Sequence, residues 1–209
     1  MYLKTEAVIL RKKNFAEADK ILTIYTRDYG KISCIAKGAR RTLSRKSGHI
    51  ELGSWCKVFV AKGKSLDLLT EVELKKAFGI ENLTPEIANK IYHFLELADS
   101  LTAHNQKNKD VFILLVNFLK KVDSEEDFNL LSSVFKIKLL ASLGFFSAEN
   151  LEKTGTSSFL KKLQNDDFDT LKKTIKTSSE NYLKLLSFLD SIIENVSEKK
   201  LHTTKFLNG

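Results

Sequence analysis

The hydrophobic period of the chain changes once, near Asn82, and that change limits the folds open to it. Before it, short runs alternate apolar and polar residues, the pattern of strands with one buried face. Thr5–Arg11 is apolar and rich in β-branched residues. Lys20–Thr26 sets Ile21, Thr23 and Tyr25 against Leu22 and Ile24. Asp28-Tyr29-Gly30 is a tight-turn signal leading into Ile32–Lys37. Trp55–Ala61 places Cys56, Val58 and Val60 on one face, and Lys62-Gly63-Lys64 turns it into Leu66–Leu74, where Leu68, Thr70, Val72 and Leu74 share a face. Five short strands in about 75 residues, with one longer connection at Ala39–Ser54, predict a small closed or partly closed barrel of the OB type. An SH3-like barrel satisfies the same strand count.

Beyond Asn82 the apolar residues recur at helical spacing. Thr84 is placed to cap a helix whose first position is Pro85, the only proline of the chain. Ile87, Ile91, Phe94, Leu95, Ala98 and Leu101 carry that helix to about His104, and Asn105–Lys109 reads as a polar linker. Asp110–Val122, apolar nearly all round at Val111–Val116, predicts a helix central to a bundle. Ser124 predicts the cap of a third helix, with Glu125, Glu126 and Asp127 in its first turn and a stop at Gly144. Phe145–Ser158 is less periodic. Two more helices are expected at about Ser158–Lys176 and Ser179–Val196, then a polar tail anchored by Leu201, Phe206 and Leu207. The fold class is therefore α+β, a five-stranded barrel followed by helices.

Charge divides at the same place. The formal net charge is +8 and the pI about 9.3, which favours an anionic partner: nucleic acid, an acidic protein tail or, less often, a membrane surface. Residues 1–80 hold 17 Lys+Arg against 8 Asp+Glu, a net of +9, while residues 81–209 hold 17 against 18, a net of −1. The excess thus belongs to the strand-forming part. Its densest stretch is Gly30–Lys46, a strand running into a loop that holds Lys37, Arg40, Arg41, Arg45 and Lys46 with no acidic residue. Five cations in ten residues suit several phosphates. Arg11, Lys12 and Lys13, then Lys57, Lys62 and Lys64, could extend the patch, with Phe15, Tyr25, Tyr29, Trp55 and Phe59 available for base stacking. The bland reading is that these aromatics are core and these cations a solvated face.

Little else carries chemistry. The four histidines, His49, His93, His104 and His202, are scattered, and there is no Gly-rich phosphate loop, nucleophile elbow or Cys-x-x-Cys. No enzyme is expected. Cys34 and Cys56 lie inside strand-like runs and are expected to be buried and reduced. No run approaches the ~18 apolar residues of a membrane span, and Met1–Lys13 lacks the features of a signal peptide. The expected compartment is the cytoplasm.

Read in order, these residues are similar to the opening of the RecO family of bacterial recombination mediators. The resemblance rests on Ala7–Arg11, on Glu17-Ala18-Asp19-Lys20 before Ile21–Thr26, on Gly30-Lys31, and above all on Ala36-Lys37-Gly38-Ala39-Arg40-Arg41 with Ser44-Arg45. It is strong over residues 1–80 and weaker through the helices, including Phe135–Gly144 and Leu201–Leu207. It implies an N-terminal OB-fold DNA-binding domain at residues 1–80 and a helical domain at residues 81–209. It implies binding of single- and double-stranded DNA, annealing of complementary strands, and work with RecR to load RecA onto DNA coated by single-stranded-DNA-binding protein, whose acidic C-terminal tail is also contacted. Many members carry a four-cysteine zinc site after the third helix. This chain has no cysteine or histidine between Phe145 and Asn195, so no zinc and no other cofactor is expected.

The expected function is a non-enzymatic, DNA-binding mediator of recombinational repair. Arg11, Lys12, Lys13, Lys37, Arg40, Arg41, Arg45, Lys46 and Lys57 are the expected DNA-binding residues. They would hold phosphate backbones and so lower the repulsion between strands, with little sequence specificity. An OB-fold RNA-binding protein, or an adaptor whose basic patch meets an acidic protein tail, would share the charge pattern.

Overall fold

The computed structural model describes residues 2–44, 46–78, 84–150, 155–175 and 179–206. Its first part is a barrel of β1 (Tyr2–Phe15), β2 (Asp19–Thr26), β3 (Gly30–Ala36), β4 (Trp55–Ala61) and β5 (Asp67–Lys76). The strands close in the order β1-β2-β3-β5-β4. Neighbours are antiparallel except β3 and β5, which run parallel through Cys34–Asp67 and Ile35–Leu68. The crossover that sets β5 between β3 and β4 separates this OB-type closure from a simple meander. Leu3, Ala7, Ile9, Leu22, Ile24, Cys34, Val58 and Leu69 fill the interior, and Ala39 and Ile50 from the long β3–β4 connection join them.

Two local irregularities depart from simple alternation. Between Ile9 and Arg11 the register of β1 shifts, so that after Ile9 enters the barrel Leu10 and Arg11 both fall on the outer side, Leu10 against the helices. β1 also runs on past its apolar part, because Lys12–Phe15 still pairs with Asp19–Leu22. In β5 a shift opposite Phe59 and Val60 puts Leu69 inside, with Val72 and Leu74 against the barrel core. Leu68 and Thr70, expected on that face, are instead half-buried, and the Thr70 hydroxyl donates to the Phe59 carbonyl at 3.0 Å.

The helices are α1 (Pro85–Leu101), α2 (Lys109–Leu119), α3 (Phe128–Ser142), α4 (Gly155–Asn165), α5 (Phe168–Thr174) and α6 (Ser179–Ser197). Thr84 caps α1 as its sequence predicts, accepting from the Ile87 N–H. The cap of α3 is Asp127, not Ser124: its carboxylate accepts from the Leu130 N–H at 3.0 Å, and Glu125 turns inward to pair with Lys172. The single helix expected at about Ser158–Lys176 is two, α4 and α5, because Asp167 starts a new helix by accepting from the Thr170 N–H. The central helix is α3 rather than α2. It packs against α1, α2, α4, α5 and α6, whereas Ile113 on α2 remains exposed. Phe94, Phe118 and Phe135 meet at this centre, with ring centroids 4.6 Å apart for Phe94–Phe135. Leu201 is buried as expected; of the other two tail anchors, Leu207 lies outside the described residues.

The boundary expected between residues 80 and 81 falls within 79–83, outside the described residues. The barrel and helices nonetheless share a core. Val8, Leu10, Tyr25 and Phe78 lie in the same buried cluster as α1, α2 and α3. At the seam the Asn105 N–H donates to the Lys31 carbonyl at 2.8 Å, and Lys31 and His104 form a parallel bridge. Lys31 Nζ donates to the Asp99 carbonyl at 2.5 Å and sits 3.2 Å from its carboxylate, which also takes Arg11. Gly30 has φ +70° there, and a Cβ on it would lie 2.0 Å from the Gln106 carbonyl oxygen. Only glycine satisfies both conditions.

Candidate nucleic-acid interface

The basic loop leaves β3 by the same alternation that builds the barrel. Ile32, Cys34 and Ala36 point inward, so Ser33, Ile35 and then Lys37 lie on the outer side. Gly38, with φ +68°, turns the chain, and its N–H donates to the Asp19 carboxylate at 2.8 Å. Ala39 then drops into the core. Arg40 fastens the loop to the β1–β2 turn: its backbone N–H donates to the Ala18 carbonyl at 2.9 Å and its Nη1 to the Ala16 carbonyl at 3.0 Å. Successive turns follow, closed by Arg41 N–H to Gly38, Ser44 N–H to Arg41 and His49 N–H to Lys46. Lys46 Nζ donates to the Leu69 carbonyl at 2.8 Å, tying the far side of the loop to β5.

Strand register brings a second set of residues to this end of the barrel. Lys13 pairs across to Ile21, and Ile21 to Ile35, all on the outer side; Phe15 pairs with Asp19 at the turn. The helices cover this outer side only at its other end, around Val8 and Tyr25. The exposed remainder therefore carries Lys13 and Phe15, half-buried Ile21 and Ile35, and Lys37 at its edge, with the loop beyond.

The nine expected DNA-binding residues consequently sort into groups. Lys13, Lys37 and Arg41 are exposed and have no hydrogen bond or ion pair from their side chains among the described residues. Arg40 is also exposed, with one nitrogen committed to Ala16. Arg11 is paired with Asp99 and Lys12 with Glu51, so each already meets an anion of its own chain. Lys46 is half-buried and held by a carbonyl. Lys57 is not brought to this end at all: it lies on the β4 wall between Glu6 and Glu73 in register, 3.8 Å from the Glu73 carboxylate. Arg45 lies outside the described residues.

The aromatic candidates thin out in the same way. Tyr25 is fully buried and its hydroxyl donates to the Asn108 carbonyl, with burial pushing its pKa up to about 12. Trp55 is at the seam between Lys75 and Lys120, at 4.3 and 4.9 Å, and its indole N–H donates to Glu6. Phe59 is on the β4 wall with Lys4 above it. Phe15, 45% exposed, is the one at the basic end. Strand alternation already groups Ile35 with Ser33 and Lys37, and Ile21 with Thr23 and Tyr25, and the barrel core of Leu22, Ile24, Ile32 and Cys34 puts both groups outside. The pairing of β2 with β3 then sets the two side by side.

The chemistry available at this end is electrostatic. Exposed cations stand beside an apolar strip and an aromatic ring, which suits a polyanion bearing flat bases. The thiols of Cys34 and Cys56 are buried in the barrel, and burial pushes each up to about 12. Among the described residues no group of three or more His, Cys, Asp or Glu is placed to hold a metal ion. The four-cysteine zinc site that the resemblance implies for many relatives does not fit this chain, because the stretch from Phe145 to Asn195 supplies neither thiol nor imidazole. Among the described residues no helix is long and apolar enough to cross a membrane.

Comparison with known proteins gives the same arrangement a family context. The model described as "Recombination protein O N terminal" matches residues 1–78, which hold the whole barrel, and "Recombination protein O C terminal" matches residues 91–148, which hold α2, α3 and most of α1. The chain is 34% identical over 146 residues to the DNA repair protein RecO of Caldicellulosiruptor bescii, covering 69% of this chain and 59% of that protein. It is 34% identical over 142 residues to the RecO of Dehalococcoides mccartyi, covering 68% and 56%. With the RecO of Alkaliphilus metalliredigens the identity is 35% over 147 residues, covering 69% and 59%. The chain thus spans less than two thirds of the length of these relatives.

Proposed function

The chain belongs to the RecO family, and on that premise we propose that it is a non-enzymatic, DNA-binding mediator of recombinational repair. The observation that carries this reading is the convergence of Lys13, Lys37, Arg40 and Arg41 at one end of the barrel, exposed and without acidic partners among the described residues. These side chains would take the phosphates of single- or double-stranded DNA. Neutralising them lowers the repulsion between two strands, and complementary strands then anneal. Phosphate contacts carry no base information, so sequence preference is weak. RecR, and the acidic tail of single-stranded-DNA-binding protein, are the proposed protein partners, and loading of RecA is the proposed outcome, in the cytoplasm and without zinc.

Fluorescence anisotropy with labelled single-stranded DNA, RNA and an acidic peptide, over a salt series, tests this. DNA should bind most tightly. Lys37→Ala/Arg40→Ala/Arg41→Ala should weaken DNA binding at low salt by on the order of tenfold or more and flatten the log–log salt slope by ~0.7 for each single-strand phosphate no longer neutralised. Lys57→Ala should change little, because Glu73 already faces that lysine. Unchanged affinity of the triple variant with an intact fold would remove the loop from the site. Tight binding to RNA alone, or to the peptide alone, would replace DNA as the ligand.

A further inference from the structure

The basic loop has an apolar apex. Leu43 is 95% exposed, more than any other large hydrophobic side chain among the described residues. A single exposed leucine is ordinary on a protein surface, so its setting must carry the argument. It stands between Arg41 and Lys46, in a stretch with no acidic residue from Ile32 to Ile50. The segments on either side are held in place: Ala39 and Ile50 are buried, Arg40 is hydrogen bonded to Ala16, Lys46 to Leu69, and the turn at Arg41–Ser44 closes at 2.9 Å. Leu43 is therefore projected by a built turn. Beside it is an open concavity of about 620 Å³ lined by Lys37, Gly38, Arg41, Thr42, Leu43 and Lys46.

We propose that Leu43 is a wedge that enters between stacked bases while the neighbouring cations hold the flanking phosphates. This rests on the DNA-binding reading above and adds an interaction that phosphate binding does not require. Apolar side chains that project from cationic surfaces unstack base steps in this way. A cationic loop with an apolar tip also suits an anionic bilayer. One leucine side chain, however, offers too little apolar surface to hold a loop there.

The test uses the full chain and an adenine-rich single strand, and its duplex, each with one internal 2-aminopurine. The wild-type protein should raise the fluorescence of the probe on binding. Leu43→Ala should bind about fivefold more weakly, keep the wild-type salt slope because its cations remain, and lose the fluorescence rise. Leu43→Phe should retain the rise. Thermal melting of both variants should match wild type, since the side chain is exposed. Wild-type affinity and fluorescence in Leu43→Ala would overturn the wedge, as would DNA binding by wild type with no rise; in both cases the DNA-binding reading survives. No DNA binding by wild type at low salt overturns both. Binding to phosphatidylserine vesicles that is lost in Leu43→Ala, with no 2-aminopurine response in wild type, would assign the apex to lipid instead.

Discussion

The barrel and the helical bundle place their charges in opposite ways. Among the described residues the barrel interior holds no buried charge, and apart from Lys31, buried at the seam against Asp99, its cations are left at the rim and on the outer walls. The bundle buries charge. Lys136 on α3 is 2% exposed and its Nζ is 2.6 Å from the Asp190 carboxylate on α6. Burial lowers the pKa of Lys136, and Asp190 opposes that shift. His93 on α1 is fully buried between Thr203 and Ser132. The Thr203 hydroxyl donates to Glu96, so His93 Nδ1 carries the proton given to Thr203 and Nε2 accepts from Ser132. Glu96 also accepts the backbone N–H groups of His202 and Thr203, which binds the C-terminal segment to α1. In the bundle, then, polar groups are partners that specify which helix meets which. In the barrel the β-ladder already specifies the packing, so Lys13, Lys37 and Arg41 need no partner within the chain and remain available to an outside anion.

This contrast breaks first at the seam. Gly30→Ala should destabilise the protein by about 3 kcal/mol, combining a left-handed backbone with overlap on Gln106. Urea unfolding would measure it, and a loss under about 1 kcal/mol would mean that the barrel and linker separate easily. Next, Asp190→Ala should cost about 3 kcal/mol by stranding Lys136 in the bundle, whereas Lys136→Met with Asp190→Leu should recover most of it. If Asp190→Ala proves silent in the same unfolding assay, buried charge does not specify how α3 meets α6.

The smallest of these effects is a pH dependence. Burial first, and then the Lys136 charge, hold the pKa of His93 well below its usual 6.5. The unfolded chain therefore binds a proton below about pH 6.5 that the native chain refuses. Stability is complete above that pH and falls as the pH drops, by at most about 1.4 kcal/mol per pH unit, until the native pKa is reached. Unfolding of wild type and His93→Gln from about pH 7 to about pH 5 would show it, with the variant lacking this slope. Equal slopes would assign the acid sensitivity to other groups.

Much of the architecture was legible in the residues. The alternation of Leu22 and Ile24, or of Cys56, Val58 and Val60, is local, and so is the cap-and-proline start at Thr84-Pro85. Errors came where a local signal had two readings. Ser124 and Asp127 are both good caps, and tertiary packing drew Glu125 inward to Lys172 and left the cap to Asp127. The uniformly apolar Val111–Val116 suggested a central helix. Yet α3, which carries buried Ser132, Ser133 and Lys136, holds the centre because its polar groups find partners there.

The candidate site divides along the same line. Strand alternation, the acid-free run from Lys37 to Lys46 and the net +9 of residues 1–80 follow from the order of residues alone. Which of those cations stay free does not. Asp99, Glu51 and Glu73 are distant in the chain from Arg11, Lys12 and Lys57, and only the closed barrel and its seam bring each acid to its base. Periodicity is a property of neighbours along the chain. Charge neutralisation is a property of neighbours in space, so folding decided that Lys13, Lys37, Arg40 and Arg41 face outward together while Leu43 stands at the tip between them.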